Sequence, residues 1–480
     1  MHQSRFHQLF LTVLIVAIAI SGIGLLSYCW FQLTSGYLHG DALIFQTVGR
    51  GMLHGYKPYV DLFETKPPGV FLLHALSWKL FGSQLLVSLL SVACLLGIPI
   101  LVTVPVVQER KVLILLTMLF GLTLALYVAN QAGGGLAESY GAFFGVAFLG
   151  LLISERISTL KPLLLGILLL LAVGFKEPFL LSILAGVIVL TDRPKDLVTS
   201  FLVPVGITVV LGLIGLFAFS LFDPFFSIYL PHMLGFHVHQ HDGSTFVHAL
   251  EIWRTFINMG AYSWGFAGAI TVLWLLAFSF QLSAFRYVAA SYLTLLAIAI
   301  GGDFYGHHFV FAVPFYSALW WKFLGSGKWV FVLIATGLVF AALTSTQFSY
   351  KNAATQWKQK EVSMRQAATT IDDVMDACNW EKYLQIIPRV GDAFAYTDHV
   401  PYGPIFLHYA RFIGARREYQ TAFIHALNEA KLILVLDLQE SNLSEDAIEF
   451  IGVHFDENPP ACVGGEFSQP EPYSLLFRKN

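Results

Sequence analysis

The stretch GYLHGDALIFQTVGRGMLHGYKPYVDLFETKPPG, residues 36–69, decides how this sequence is read. It gathers acids, cations and a Pro-Pro pair between long apolar runs, and it is too long and too specific in composition for a simple connector. An apolar segment, 8–30, precedes it, and a shorter one, 69–82, follows it with His74 and Lys79 inside. The first is too long and too continuously apolar for the h-region of a signal peptide and reads as a retained span. The second is too short to cross a bilayer and reads as a helix lying in the interface. Of the 480 residues, 56% are hydrophobic and only 12% charged. A soluble domain carries about a quarter charged residues, so a single soluble globule, a disordered regulator and a secreted disulfide scaffold are excluded. A net charge of −3 gives no basic field for a nucleic acid.

Working outward, runs long enough for a ~30 Å hydrocarbon core fall at 83–107, 111–129, 140–154, 163–176, 178–191, 197–221, 260–281, 287–302, 308–321 and 329–346. With 8–30 they predict a polytopic α-helical membrane protein of about eleven spans. Loops on one side then hold ten Lys and Arg, Arg110, Arg193, Arg286 and Lys322 among them, against four acids. Loops on the other side hold six cations and nine acids. The excess of cations marks the cytoplasmic side, which places the N-terminus inside and the 36–69 loop outside. An odd number of spans leaves the C-terminus outside as well.

Beyond residue 347 the composition changes. From Ser349 onward there are 12 Lys and Arg, 18 Asp and Glu and no further apolar span. The pattern predicts an amphipathic helix over 352–377, strands in DAFAYTDH, KLILVLDL and YSLLFRKN, and a helix in SEDAIEFIGVHF between the last two. The domain organisation expected is therefore a membrane domain, 1–346, and a small extracytoplasmic α/β domain, 347–480. Cys378 and Cys462 lie in that second domain, where a disulfide is permitted, though spacing alone does not establish one.

Ionisable residues in a chain so poor in charge are the candidates for chemistry. Asp41 falls about ten residues after the first span, where a carboxylate could take a proton from a hydroxyl; it could equally cap the helix that begins there. Lys66 precedes two prolines that fix φ and would hold it near headgroup depth, suited to a phosphate; a snorkelling lysine is the alternative. The second outside loop, NQAGGGLAESYGAFF at 130–144, offers Glu138, which could also serve only to match a helix dipole. The late segment GGDFYGHHFVFAVPF, 301–315, holds Asp303, Tyr305, His307 and His308. Arg50, Tyr59, Asp61, Glu64 and Lys176 are candidates for support. His237, His239 and His241 alternate in a fourth loop and could bind a metal. They lack an accompanying cysteine and a helical i, i+4 pair, the stretch reading as loop, so a loop that closes over substrate is the plainer reading. GSGK at 325–328 lacks the spacing of a phosphate loop, so no nucleotide is expected.

The run GDALIFQTVGRGMLHGYKPYVDLFETKPPGVFLLHAL resembles the first outside loop of bacterial family 39-type glycosyltransferases of the GT-C superfamily. These are relatives of protein mannosyltransferases and of aminoarabinose transferases of lipid A. GGGLAESYGAFF resembles the family's second acidic loop and FYGHHFVFAVP its late His-Tyr-apolar-Pro segment, except that His308 stands where tyrosine is commoner. The resemblance implies a GT-C membrane fold in the bacterial inner membrane. It implies inverting transfer of a monosaccharide from a polyprenyl-phosphate donor to an extracytoplasmic glycolipid, lipopolysaccharide, wall polymer or protein. By the same resemblance Asp41 is the base, Lys66, Tyr305 and His307 hold the donor phosphate, and Glu138 orients the acceptor or a divalent metal. A secondary transporter or a non-catalytic assembly component are the rival classes. A transporter predicts a site built on broken helices at mid-membrane instead of acids in outside loops.

Overall fold

The computed structural model describes residues 2–154, 159–235, 245–251, 284–300, 306–324, 350–386, 393–401, 417–435, 443, 445–464 and 467–479. The expected spans 260–281 and 329–346 lie outside them, wholly or nearly so, as do Asp303, Tyr305, His237, His239 and His241.

Backbone in a lipid environment must satisfy its own hydrogen bonds, so long apolar runs fold as helices. They do so here as α1 (His2–Ser35), α4 (Leu85–Thr103), α5 (Lys111–Ala132), α6 (Ala137–Ile153), α7 (Lys161–Phe175) and α8 (Phe179–Leu190). The segment between α1 and α4 contributes α2 (Gly40–Leu53) and α3 (Pro68–Phe81). Later apolar helices are Val203–Ala218, Ala284–Ala299 and Val313–Leu324. Among the described residues four stretches are long and apolar enough to cross a membrane: Gln8–Ser35, Leu85–Val106, Lys111–Ala132 and Lys195–Ala218. α6, α7 and α8 are shorter; α8, at 12 residues, spans about 18 Å. The expected span 308–321 is divided, with a 3-10 turn over Gly306–Ala312 before the helix Val313–Leu324. Pro314 accounts for the break, since it lacks an N–H and suits only the first turn of a helix.

The described residues form two compact units. The first comprises Met1–Gly36, Lys66–Val70 and Val87–Tyr350, the apolar bundle. Helices approach closely where a side chain is missing: a Cβ on Gly145 would lie 2.7 Å from the Pro314 ring, and one on Gly121 would lie 2.7 Å from the Pro99 Cα. At one end of the bundle Asp192, just beyond α8, pairs with Arg286 at 3.1 Å and Lys322 at 2.7 Å. The Arg286 Nε also donates to the Ile188 carbonyl at 2.6 Å, closing the C-terminus of α8. These three residues are among those the charge pattern assigns to a common side.

The second unit comprises Tyr37–Thr65, Phe71–Leu86 and Lys351–Asn480. Its sheet has the order β2-β1-β3-β5-β4, with β1 Lys382–Ile386, β2 Val400–Pro401, β3 Leu432–Val435, β4 Phe455–Asp456 and β5 Ser474–Arg478. β1 runs parallel to β2 and β3, and β5 is antiparallel to β3 and β4. The amphipathic helix expected over 352–377 is Tyr350–Ala377; it buries Trp357, Met364, Ala367, Ala368, Ile371, Val374 and Met375 at helical spacing. β3, β5 and the helix Glu445–His454 match the pattern read from the sequence. DAFAYTDH does not form a strand: Ala393–Ala395 is a 3-10 turn, and the first strand lies upstream in KYLQI. The turn is held out of the sheet by Asp372, which accepts hydrogen bonds from the Thr397 hydroxyl and, at 3.0 Å, from the Asp398 N–H. Cys378 and Cys462 are joined in a disulfide.

Candidate active site

The charged residues of the first unit converge because the chain turns sharply at four places. Lys66 is followed by Pro67 and Pro68, and Gly69 then passes so near the end of α7 that a Cβ would lie 2.4 Å from the Gly174 carbonyl oxygen. Only glycine permits that approach. α7 ends at Lys176 in extended backbone, and Pro178 opens the turn into α8. Lys176 and Glu177 are thus presented from a junction with no connecting loop. Gly134 and Gly135, at φ 69° and 84°, make the left-handed turn before α6, whose first turn carries Glu138. Gly306 lies against the Gln131 side chain, whose amide oxygen would have to move aside for a Cβ, and His307 follows it.

Glu138 is 1% exposed and its Oε1 lies 3.5 Å from the Lys176 Nζ, itself on a side chain 8% exposed. Among the described residues neither Glu138 oxygen has a hydrogen-bond partner. Lys176, His307 and Lys66 all lie close enough to interact electrostatically with the Glu138 carboxylate. Glu177 interacts with Lys176, Lys66 and Glu138 and accepts a hydrogen bond from the Tyr229 hydroxyl. The result is a cluster of two lysines, a histidine and two carboxylates, with Glu138 and Lys176 buried and Lys66, Glu177 and His307 half-buried. Cations so placed can stabilise a phosphate charge where water does not screen them. His308 is buried, its ring stacked 5.7 Å from Phe311.

Lys66, Glu138, Lys176 and His307 are thus brought together. Glu177 and Tyr229 join them, although the sequence reading did not select them. For Glu177 the signal was present: a Lys-Glu-Pro run between two apolar segments puts ionisable groups at membrane depth. Nothing in the sequence around Tyr229 marks it.

Asp41, Arg50, Tyr59, Asp61 and Glu64 belong to the second unit. α2 starts at Gly40 with His39 as its cap, whose Nδ1 accepts from the Asp41 N–H at 3.3 Å. Asp41 is therefore inside the first turn, its side chain 30% exposed, and does not itself cap the helix. Arg50, at the other end of α2, donates to the Ala395 carbonyl at 2.9 Å and to Asp398 at 3.2 Å. Asp61 accepts from the Lys57 N–H at 2.7 Å, and Glu64 from the Thr65 N–H at 2.8 Å. Tyr59 is buried at φ 71° beside Phe71. Among the described residues no group of three or more His, Cys, Asp or Glu is placed to hold a metal ion.

Comparison with solved structures bears on what this arrangement belongs to. The apo form of ArnT from Cupriavidus metallidurans superposes with a TM-score of 0.55 at 12% identity, covering 99% of this chain and 98% of that one. The chain has the ArnT fold. This is the fold expected from the resemblance of the loop at 36–69, and among the described residues four helices are long and apolar enough to cross a membrane. ArnT bound to undecaprenyl phosphate gives a TM-score of 0.50, again at 12% identity, with 98% of each chain covered. The oligosaccharyltransferase of Archaeoglobus fulgidus is more distant, at a TM-score of 0.43, 14% identity, and 92% and 71% coverage. By sequence, no family model and no curated protein matches the chain.

Proposed function

We propose that the protein is an inverting glycosyltransferase that moves a monosaccharide from a polyprenyl-phosphate donor to an extracytoplasmic acceptor, which could be a glycolipid, lipopolysaccharide, wall polymer or protein. The observation that carries this reading is the cluster of Lys66, Lys176, His307 and Glu138, built around the buried Lys176–Glu138 pair, in a chain with the ArnT fold. ArnT itself has been crystallised with undecaprenyl phosphate. In this reading Asp41 removes the proton of the acceptor hydroxyl as its oxygen attacks the anomeric carbon. The bond from that carbon to the phosphate oxygen breaks, and the polyprenyl phosphate leaves with the electron pair. Lys66, assisted by His307 and Tyr305, stabilises that charge. Glu138 orients the acceptor and is itself held by Lys176. Phosphate is a good leaving group, so positioning and charge stabilisation supply most of the acceleration.

The same reading assigns a multi-pass inner-membrane location, about eleven spans, a catalytic membrane domain over 1–346 and an extracytoplasmic domain over 347–480. The Asp192–Arg286–Lys322 end would face the cytoplasm. The Cys378–Cys462 disulfide supports an oxidising compartment for the second domain. The test supplies polyprenyl-phosphate sugars to the purified protein and to Asp41→Asn and Lys66→Ala variants. Transfer by the wild type, lost in Asp41→Asn and weakened at the level of donor binding in Lys66→Ala, is expected. Equal behaviour of all three would refute the assignment.

A further inference from the structure

α2 carries Asp41 in its first turn, and its anchorage lies at the opposite end. Gln46 and Arg50 are one helical turn apart on a common face. The Gln46 Nε2 and the Arg50 Nη1, the latter at 2.9 Å, both donate to one acceptor, the Ala395 carbonyl oxygen. The Arg50 Nη2 reaches Asp398 at 3.2 Å, and the guanidinium lies over the Trp78 ring at 4.5 Å. Ala395 and Gln46 are almost wholly buried, so the two bonds to the Ala395 carbonyl are shielded from water, whereas Asp398 is exposed.

The acceptor is itself fixed. Phe394 packs on Tyr383 of β1 with ring centroids 4.7 Å apart. Asp372, on the helix Tyr350–Ala377, accepts from Thr397 and from the Asp398 N–H. That helix runs directly into Cys378, which is tied to Cys462. On its other side α2 is seated against α3 at Gly49, where a Cβ would lie 2.8 Å from Phe71, His74 and Ala75 atoms. Rotation about the helix axis and sliding along it are both opposed by groups more than 300 residues away in the chain, with separations of 349 to Gln46 and 345 to Arg50.

We propose that Gln46 and Arg50 are positioning residues, through which the C-terminal sheet region fixes the placement of the Asp41 carboxylate by holding α2 at the Ala395 carbonyl. The proposal rests on Asp41 being the base of the reaction. From Asp41 to Arg50 is nine residues of rigid helix, about 14 Å, so a small tilt at the anchored end becomes a displacement of the carboxylate. Misplacement by about 1 Å can lower a rate by ~100-fold.

The test uses the full-length protein. Turnover with a polyprenyl-phosphate sugar and affinity for undecaprenyl phosphate are measured for wild type, Asp41→Asn, Arg50→Gln, Arg50→Lys and Gln46→Met. Expected is a fall in kcat of about 10–100-fold in Arg50→Gln and Gln46→Met, with undecaprenyl-phosphate affinity unchanged. Arg50→Lys, which can still donate to the carbonyl, should recover part of the loss. Wild-type kcat in both Arg50→Gln and Gln46→Met, with Asp41→Asn inactive, overturns the positioning role and leaves the base intact. Parallel loss of kcat and lipid-phosphate affinity, without recovery in Arg50→Lys, overturns it in favour of general destabilisation. Should one variant fail to fold, the other still decides between these outcomes. Full activity in Asp41→Asn overturns both readings together.

Discussion

Removing Lys176 should expose how strongly the cluster depends on charge pairing. Its ammonium lies 3.5 Å from the Glu138 carboxylate, on side chains 8% and 1% exposed. At an effective dielectric constant of about 20, two unit charges at that distance attract by about 5 kcal/mol. Breaking a buried pair from one side costs ~3–5 kcal/mol, because the remaining charge stays buried. Lys66 and His307 also act on Glu138, so the loss in Lys176→Met should fall at the lower end, about 3 kcal/mol. The double variant Lys176→Met/Glu138→Gln removes both charges and should recover most of that loss. The assay is a double-mutant cycle on detergent-solubilised protein, with denaturant unfolding as the readout. A coupling energy of about 2–3 kcal/mol is expected. Strict additivity, or a cost below ~1 kcal/mol for Lys176→Met as at a solvent-exposed pair, would refute the inference that the cluster works as one electrostatic unit.

Three further outcomes are expected. Gly69→Ala should weaken undecaprenyl-phosphate binding although it removes no charge, because its Cβ would lie 2.4 Å from the Gly174 carbonyl and push Lys66 away; overpacking of this kind costs ~1–3 kcal/mol. Binding equal to wild type would show that the approach of Gly69 to α7 does not set the lysine. Replacing Cys378 and Cys462 together by serine should destabilise the second unit by about 4.6 kcal/mol on the loop-entropy model, their sequence separation being 84. Thermal unfolding without reductant reads this, and a variant midpoint equal to that of the wild type would contradict it. At Asp372, burial raises the carboxyl above its usual 3.8. A raised folded value gives stability that is full below the unfolded pKa and is lost as pH rises through the folded one. Asp372→Asn, which keeps an acceptor for Thr397, should flatten that decline in unfolding experiments across the acidic range; an unchanged slope would count against it.

What could be read from the sequence followed locality. The runs at α1, α4 and α5 declare themselves within one window by unbroken apolar length, and the helix Tyr350–Ala377 by apolar residues that repeat at the helical period. The turn at Gly306–Ala312 was less legible, because a continuous apolar run conceals a change of backbone that only Pro314 signals. DAFAYTDH alternates as a strand does, yet it is diverted into a turn by Asp372 and by Gln46 and Arg50, all distant in sequence. In the charged cluster, Lys66, Glu138 and His307 stood out because charge is scarce in the chain. The Glu177–Tyr229 pair depends on a contact between residues 52 apart, which no local pattern encodes. Grouping of Tyr37–Thr65 with the C-terminal sheet is of the same non-local kind.

The most direct test of the central claim is turnover of a panel of polyprenyl-phosphate monosaccharides by purified wild-type and Asp41→Asn protein, followed as release of the polyprenyl phosphate in the presence of acceptor extract. At least one donor is expected to be consumed by the wild type, with turnover about 100-fold or more lower in Asp41→Asn, as for loss of a general base. Consumption of none of the donors, or equal turnover by the two proteins, would contradict it.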